Sequence, residues 1–174
     1  MSWPARRSRL SSKRPSTDWA LFLATVLAVL AVDLLTKHLV TAGLWRDSYL
    51  GGMLRITRVD NPGAAFGLFA GARGVFIAVK LAALLVVLGL LGRGQSRRLV
   101  LPLSLVFAGA LGNLVDRLRA EGHVIDFIDL SVAGKHWYVF NVADAAISIG
   151  ALLIVLGLLR AEAEARPAAP ADGA

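Results

Sequence analysis

Four long apolar runs constrain the fold of this chain more than any other feature of its sequence. They cover residues 19–40, 74–92, 99–115 and 138–159, and each is close to the ~20 residues that a helix needs to cross the hydrocarbon core of a bilayer. Of the 174 residues, 56% are hydrophobic, and the mean hydropathy of +0.64 is high for a soluble protein. We therefore predict an all-α integral membrane protein, a single domain over residues 1–174 with four transmembrane helices.

Basic residues predict the orientation of these helices. The first tail, residues 1–18, is rich in arginine, and the short loop between the second and third runs contains Arg93, Arg97 and Arg98. Because cytoplasmic segments carry the excess of Lys and Arg, we expect both tails, 1–18 and 160–174, in the cytoplasm. The net charge of +7 is then an orientation signal, and no basic stripe interleaved with aromatic residues favours nucleic-acid binding.

Two segments, 41–73 and 116–137, are then extracytoplasmic. The first contains LRITRVD, a weak alternation that indicates a strand or two, and then the turn signal NPG. The Ala- and Pro-rich end of the chain, AEAEARPAAPADGA, is expected to be disordered.

Carboxylates gather at one depth of the predicted bundle. A rise of ~1.5 Å per residue places Asp33 about 21 Å along the first helix, Asp116 about 25 Å along the third and Asp144 about 9 Å into the fourth, all in the outer layer. The second outer segment adds Asp126 and Asp129. Since carboxylates are costly in a membrane, this convergence predicts a functional site.

Small and polar residues form stripes on two of the helices. Their spacings of three and four residues place them on one face of each helix: Gly109, Gly112, Asn113 and Asp116 with Arg117 beside them in the third, and Asn141, Asp144 and Ser148 in the fourth. Such faces are typical of a bundle interior, because small residues allow close helix packing and polar residues avoid lipid.

Some of these charged residues are expected to have structural roles. Asp33 and Lys37 are four residues apart and can neutralise each other on one helix face, and Asp116 can form a bracing ion pair with Arg117. Lys80, within the second helix, is expected to extend its amine to the membrane interface.

Asp126 and Asp144 differ from the other acids, because each lies in apolar sequence without an adjacent basic residue. Asp129 is expected to be a solvated loop residue, and scattered histidines such as His123 give little support for a metal site.

The spacing of the acids leaves open which of two aspartates joins Asp144. Asp126 and Asp129 share a face if their segment is helical but not if it is extended.

Two carboxyls that meet in a poorly solvated place share a proton, which makes one of them a base and the other an acid. That is the chemistry of aspartic peptidases, and it suits a chain with no cysteine and neither a GxSxG nor an HExxH motif. The alternative is a proton-coupled transporter that relays protons through the same carboxylates. Transport is disfavoured because the polar groups cluster near one membrane face and the sequence shows no inverted repeat.

The sequence resembles the bacterial lipoprotein signal peptidases, or signal peptidase II, a family of four-helix membrane aspartyl proteases. Five blocks carry the resemblance in the family's order: DLLTK (33–37), NPGAAFG (61–67), AGALGNLVDR (108–117), VIDF (124–127) and FNVAD (140–144). The match covers the chain from Trp19 to Leu159. Ala108, where the family often has glycine, and Leu34, where it often has glutamine, are modest departures that leave the carboxylates untouched.

The resemblance implies that Asp126 and Asp144 form the catalytic dyad, which resolves the choice between Asp126 and Asp129. It also implies a small extracytoplasmic β-cradle, to which Gly63 and Ala64 belong. The other residues that it marks as substrate-binding or supporting are Asp33, Lys37, Asn61, Asn113, Asp116, Arg117 and Asn141.

The implied reaction removes the signal peptide from a prolipoprotein, just before a cysteine that carries a diacylglyceryl group. The implied partners are lipid-modified prolipoproteins and membrane lipids, with no cofactor and no metal, and with sensitivity to globomycin-type cyclic peptides. The expected location is the bacterial cytoplasmic membrane, with the site near the extracytoplasmic face. We expect a monomer, because four helices can bury all of these polar groups.

Overall fold

The computed structural model of the protein describes residues 16–63, 73–119, 122–132 and 134–165. Four helices in these ranges are long and apolar enough to cross a membrane: α1 (Trp19–Thr41), α2 (Arg73–Gly92), α3 (Arg97–Leu118) and α4 (Val142–Ala165). The predicted fold class, four membrane-spanning helices with a small sheet, is confirmed. Ala64 and the arginines near the N-terminus lie outside the described residues.

Helix α3 occupies the centre of the bundle. In its most apolar stretch 61% of the residues are buried, against 17% in each of the other three helices. Large apolar side chains such as Leu27, Leu85 and Leu152 are exposed on the outer helices. An apolar exterior around a central helix with a polar stripe is the arrangement that a lipid environment favours.

A small antiparallel sheet lies where α1 and α3 end and α4 begins. Its strands follow chain order: β1 (Ser48–Tyr49), β2 (Leu54–Asn61), β3 (Val124–Val132) and β4 (Lys135–His136). Phe127 of β3 is fully buried with Ile56 of β2 and Val40 of α1. This apolar contact joins the sheet to the helices.

The extended conformation of β3 decides how Asp126 and Asp129 are related. Side chains alternate along a strand, so two residues three positions apart point to opposite faces. Asp129 is nonetheless buried, and its Oδ1 lies 2.9 Å from Nδ1 of His136 on β4. The expectation that Asp129 is a solvated loop residue is therefore wrong, because the pairing of β3 with β4 covers it.

Three helix boundaries differ by three or more residues from those expected from the sequence. Helix α3 continues past residue 115 to Leu118, and α4 begins at Val142, because Phe140 pairs with Ile128 of β3 and holds the preceding residues extended. Helix α4 also continues to Ala165. Residues 161–165 of the expected disordered tail are thus helical, as their alanines and glutamates favour.

Gly109 sets the distance between α3 and α4. A Cβ at this position would lie 2.2 Å from the carbonyl oxygen of Ala143, a backbone atom at the start of α4 that cannot move independently. We expect Gly109→Ala to lower stability by about 1–3 kcal/mol, because the two helices must separate to relieve the clash. Thermal unfolding of the purified variant in detergent measures the effect.

Gly89→Ala on α2 is the matched control, because nothing lies within 4 Å of a Cβ at that position. The control is expected to keep the wild-type unfolding temperature or to exceed it slightly, since alanine favours a helix over glycine. Equal unfolding temperatures for the two alanine variants would contradict the close-approach role of Gly109.

Candidate active site

Asp144 is held at the first turn of α4 by a capping box. Asn141 precedes the helix, and its Oδ1 accepts a hydrogen bond of 2.9 Å from the backbone N–H of Asp144. The backbone N–H of Asn141 donates in return to Asp144 Oδ2 at 3.3 Å. This reciprocal pair of hydrogen bonds caps the start of α4. It also fixes a carboxylate at the helix N-terminus, where the helix dipole stabilises negative charge.

Asp126 reaches the same place from β3. Both of its carboxyl oxygens accept side-chain amide hydrogen bonds, Oδ2 from Asn61 at 2.8 Å and Oδ1 from Asn141 at 2.7 Å. Asn61 is the last residue of β2 and pairs with Val124, so the strand register brings it beside Asp126. At 2% exposure, Asp126 is almost removed from solvent.

Asn113, on α3, connects the two carboxyl groups. Its Nδ2 donates to Asp144 Oδ1 at 2.7 Å, and its Oδ1 accepts from Asn141 Nδ2 at 3.1 Å. Because Asn141 also donates to Asp126, the two asparagines form a bridge from one aspartate to the other. Their amides leave little freedom to either carboxyl group.

Lys37 is the centre of a buried ion cluster behind this bridge. Its Nζ lies 2.8 Å from Asp33 Oδ2, 2.7 Å from Asp116 Oδ2 and 3.3 Å from Asn113 Oδ1, with all three charged side chains at most 1% exposed. The predicted pairing of Asp33 with Lys37 is confirmed. Asp33 Oδ1 also accepts the backbone N–H of Ala143, a free donor in the first turn of α4.

The predicted ion pair between Asp116 and Arg117 is wrong. Asp116 pairs with Lys37 and, at 3.3 Å, with Arg119, because adjacent residues of a helix do not face each other. Arg117 instead donates to the carbonyl oxygens of Gly122, at 3.0 Å, and Gly63. Its guanidinium thereby ties the turn after β2 to the segment that precedes β3.

A cavity of about 240 Å³ opens between these elements. Both Asp126 and Asp144 line it, so the structure brings together the two acids that the sequence singled out. Its other lining residues are Asn61, Gly63, Phe76, Lys80, Asn113, Arg117, Val124, Tyr138 and Val139. The cavity lining therefore combines the two carboxyl groups with amide, cationic and apolar side chains.

Burial raises the pKa of Asp126 from 3.8 to about 6. The negative charge of Asp144 acts in the same direction, while the hydrogen bonds from Asn61 and Asn141 and the charge of Lys37 oppose it. A carboxyl with this pKa can hold a proton close to neutral pH, as a general acid must.

Phe76 and Lys80 are lining residues that the sequence analysis did not assign to the site. Lys80 is half-buried in the cavity wall. A lysine inside an apolar helix is itself a signal of function, whereas Phe76 has no such signal among its apolar neighbours. Within the described ranges, no cluster of three or more His, Cys, Asp or Glu residues suits a metal ion.

The matching family model and the curated relatives agree on one family. The family model described as signal peptidase (SPase) II matches residues 25–160. Lipoprotein signal peptidases of Syntrophus aciditrophicus and Burkholderia thailandensis are 43% and 42% identical to this chain, over 83% and 86% of it and 95% and 93% of their own lengths. Two solved structures, each titled a bacterial membrane enzyme, match with TM-scores of 0.81 and 0.75 at 27% and 28% identity. They cover 90% and 84% of this chain, and 98% and 97% of their own chains.

Proposed function

Since the chain belongs to the signal peptidase II family, we propose that it removes signal peptides from prolipoproteins by aspartic catalysis with Asp126 and Asp144. The observation that carries the proposal is the convergence of these two carboxyl groups, one from a strand and one from a helix, on a single cavity. The family membership leaves the transporter alternative without support.

Asp144 is the general base in this mechanism and Asp126 is the general acid. Burial and the raised pKa favour a proton on Asp126, and the N-terminal position on α4 favours an anion at Asp144. Ionised Asp144 takes a proton from a water, whose oxygen bonds to the scissile carbonyl carbon while Asp126 gives its proton to the carbonyl oxygen. The tetrahedral intermediate then loses its C–N bond, the leaving nitrogen takes up the proton from Asp144, and Asp126 regains its own.

The bridging asparagines keep the two carboxyl groups in different environments. Asn113 donates to Asp144, whereas Asn61 and Asn141 donate to Asp126. These residues have the positioning role because their amides orient the carboxyl oxygens before substrate arrives. Arg117 serves the same purpose for the cavity wall, through its bonds to the carbonyls of Gly63 and Gly122.

The site is extracytoplasmic in this proposal, and both termini are cytoplasmic. The cavity and the sheet lie at one end of the bundle, whereas Arg93, Arg97 and Arg98 lie at the opposite ends of α2 and α3. Cytoplasmic loops carry the excess of arginine, so the catalytic end faces outward. A substrate whose lipid group remains in the bilayer then presents its scissile bond at the depth of the carboxyl groups.

Cleavage of a prolipoprotein, with and without its diacylglyceryl group, tests the proposal. We expect the purified protein in detergent to shorten only the lipid-modified substrate on a gel, and the Asp144→Asn variant to cleave neither form. Equal cleavage of the unmodified substrate would contradict the substrate assignment. No cleavage of either form, while a family relative cleaves in parallel, would contradict the activity.

A further inference from the structure

Lys80 is a charged residue of the cavity wall with no assigned role. Apart from Arg73 at its start, α2 is otherwise uncharged from end to end. Phe76, one turn before Lys80, lies under the Arg117 guanidinium, with 5.0 Å between Cζ and the ring centroid. Leu84, one turn after it, packs with Ala110 and Leu114 of α3. Lys80 thus belongs to the face of α2 that meets α3 and the cavity.

The amine of Lys80 has no salt-bridge partner within the described part of the chain. Its surroundings are nonetheless charged, because Asp126, Asp144 and Arg117 line the same cavity. Lys37 already has two carboxylate partners, and Arg117 donates to backbone carbonyls. Among the described residues, Lys80 is therefore a cation of the cavity wall that shares the cavity with both aspartates of the dyad and forms no salt bridge of its own.

The charge of Lys80 affects how many protons the dyad holds, because it is part of the charge balance around the cavity. The acids are Asp33, Asp116, Asp126 and Asp144, and the cations facing them from α1, α2 and α3 are Lys37, Lys80 and Arg117. Four carboxyls and three cations are neutral together when the dyad holds one proton. Arg119, half exposed beside Asp116, and Arg73, exposed at the start of α2, are screened by solvent and left out of this count.

The singly protonated dyad is also the form that aspartic catalysis requires, because it contains one acid and one base. Removal of the Lys80 charge would leave the enclosed groups with a net charge of −1 at the same protonation. A second proton on the dyad would restore neutrality, and it would remove the base.

We propose that Lys80 is an electrostatic positioning residue, whose ammonium group keeps one aspartate of the dyad ionised as the general base. The proposal rests on the aspartic mechanism above and adds to it a residue on α2, the helix that supplies neither aspartate. It assigns Lys80 an effect on the pH range of activity, with no direct contact to the reacting atoms.

The pH profile of kcat/KM tests this role. For lipid-modified substrate, the wild type should give a bell-shaped profile whose two limbs belong to the coupled dyad. A cation favours ionised carboxylates, so in Lys80→Met and Lys80→Gln both limbs should move to higher pH by about one unit. Activity lost on the acid side should return on the alkaline side, and Lys80→Arg should keep the wild-type limbs.

Arg93→Gln is the matched control. Arg93 is an exposed cation just beyond the end of α2, about 20 Å from Lys80 along the helix axis by the rise of ~1.5 Å per residue. Arg93→Gln also removes one positive charge. Both limbs of the pH profile should stay in place, because solvent and distance screen the Arg93 charge from the dyad.

Three results would overturn the proposal. These are unmoved limbs in both neutral variants, loss of activity in both at every pH, and a shift in Lys80→Arg equal to that in Lys80→Met. In each of them the wild type still cleaves, so the peptidase function stands. A wild type that cleaves nothing at any pH would instead contradict the proposed function itself.

Discussion

Replacement of either Asp126 or Asp144 by asparagine is expected to lower kcat/KM by at least about 1,000-fold, which is within the range that one acid or base contributes. Asparagine has nearly the shape of aspartate but can neither take a proton from water nor give one to a carbonyl oxygen. At position 144 the amide oxygen can still accept the backbone N–H of Asn141, which keeps the capping box. Gel-shift cleavage of lipid-modified substrate, with purified and correctly inserted protein, measures the loss.

Asp129→Asn is the matched control for this pair. Asp129 lies on the same strand as Asp126 and is also buried, but it contacts His136 and does not line the cavity. Its variant is expected to retain most of the activity. Equal losses at positions 126, 129 and 144 would contradict the dyad, because they would indicate a general sensitivity of the sheet to lost charge.

The two variants of the dyad should also differ in stability. Asp126 accepts hydrogen bonds at both oxygens, from Asn61 and Asn141, and an amide nitrogen at either position cannot accept. Asp144 also accepts at both oxygens, but one of its bonds is long, 3.3 Å, and its side chain is less buried than that of Asp126. Asp126→Asn, which disturbs two short bonds in a buried place, should therefore lower the unfolding temperature more than Asp144→Asn does. This difference separates the chemical role of each carboxyl from its part in holding the sheet against the helices.

The helices and the acid cluster could be predicted from sequence because both depend on one-dimensional patterns. Apolar length predicts a membrane span, and a rise of ~1.5 Å per residue places Asp33, Asp116 and Asp144 at a common depth. The capping box of Asn141 and Asp144 is also local, since its two residues are three apart, but the predicted helix began at residue 138 and placed Asn141 inside it. Such features need no knowledge of how the helices pack.

Contacts between elements could not be predicted in the same way. Asp116 is adjacent to Arg117 in sequence, yet it pairs with Lys37 on another helix. Asp129 was expected to be solvated because the pairing of β3 with β4 has no strong sequence signal. The direction of Lys80 depends on which face of α2 meets α3, and an apolar helix with one lysine does not specify that face.

The ion cluster around Lys37 yields the second large effect, which concerns stability. All three N–H donors of its ammonium group have acceptors, two carboxylates and Asn113 Oδ1, and the group is 1% exposed. Lys37→Met is expected to lower stability by about 3–5 kcal/mol, because loss of one partner leaves buried charges uncompensated. Thermal unfolding in detergent, together with cleavage activity, should show a less stable and nearly inactive protein, since Asn113 loses one donor to its Oδ1 and Asp33, which accepts from Ala143, loses its ion pair.

Two further variants distinguish charge from packing at this cluster. Arg58→Met breaks an exposed pair with Asp60, whose side chains are 33% and 37% exposed, and should change stability by less than about 1 kcal/mol. In the triple variant Lys37→Met, Asp33→Asn and Asp116→Asn, the uncompensated charge is removed, so part of the lost stability should return. If the Lys37→Met variant were as stable as the Arg58→Met variant, the buried ions would contribute no more to stability than a surface ion pair does. A triple variant less stable than Lys37→Met would mean that hydrogen bonding to Asp33 and Asp116, rather than their charge, holds α1, α3 and α4 together.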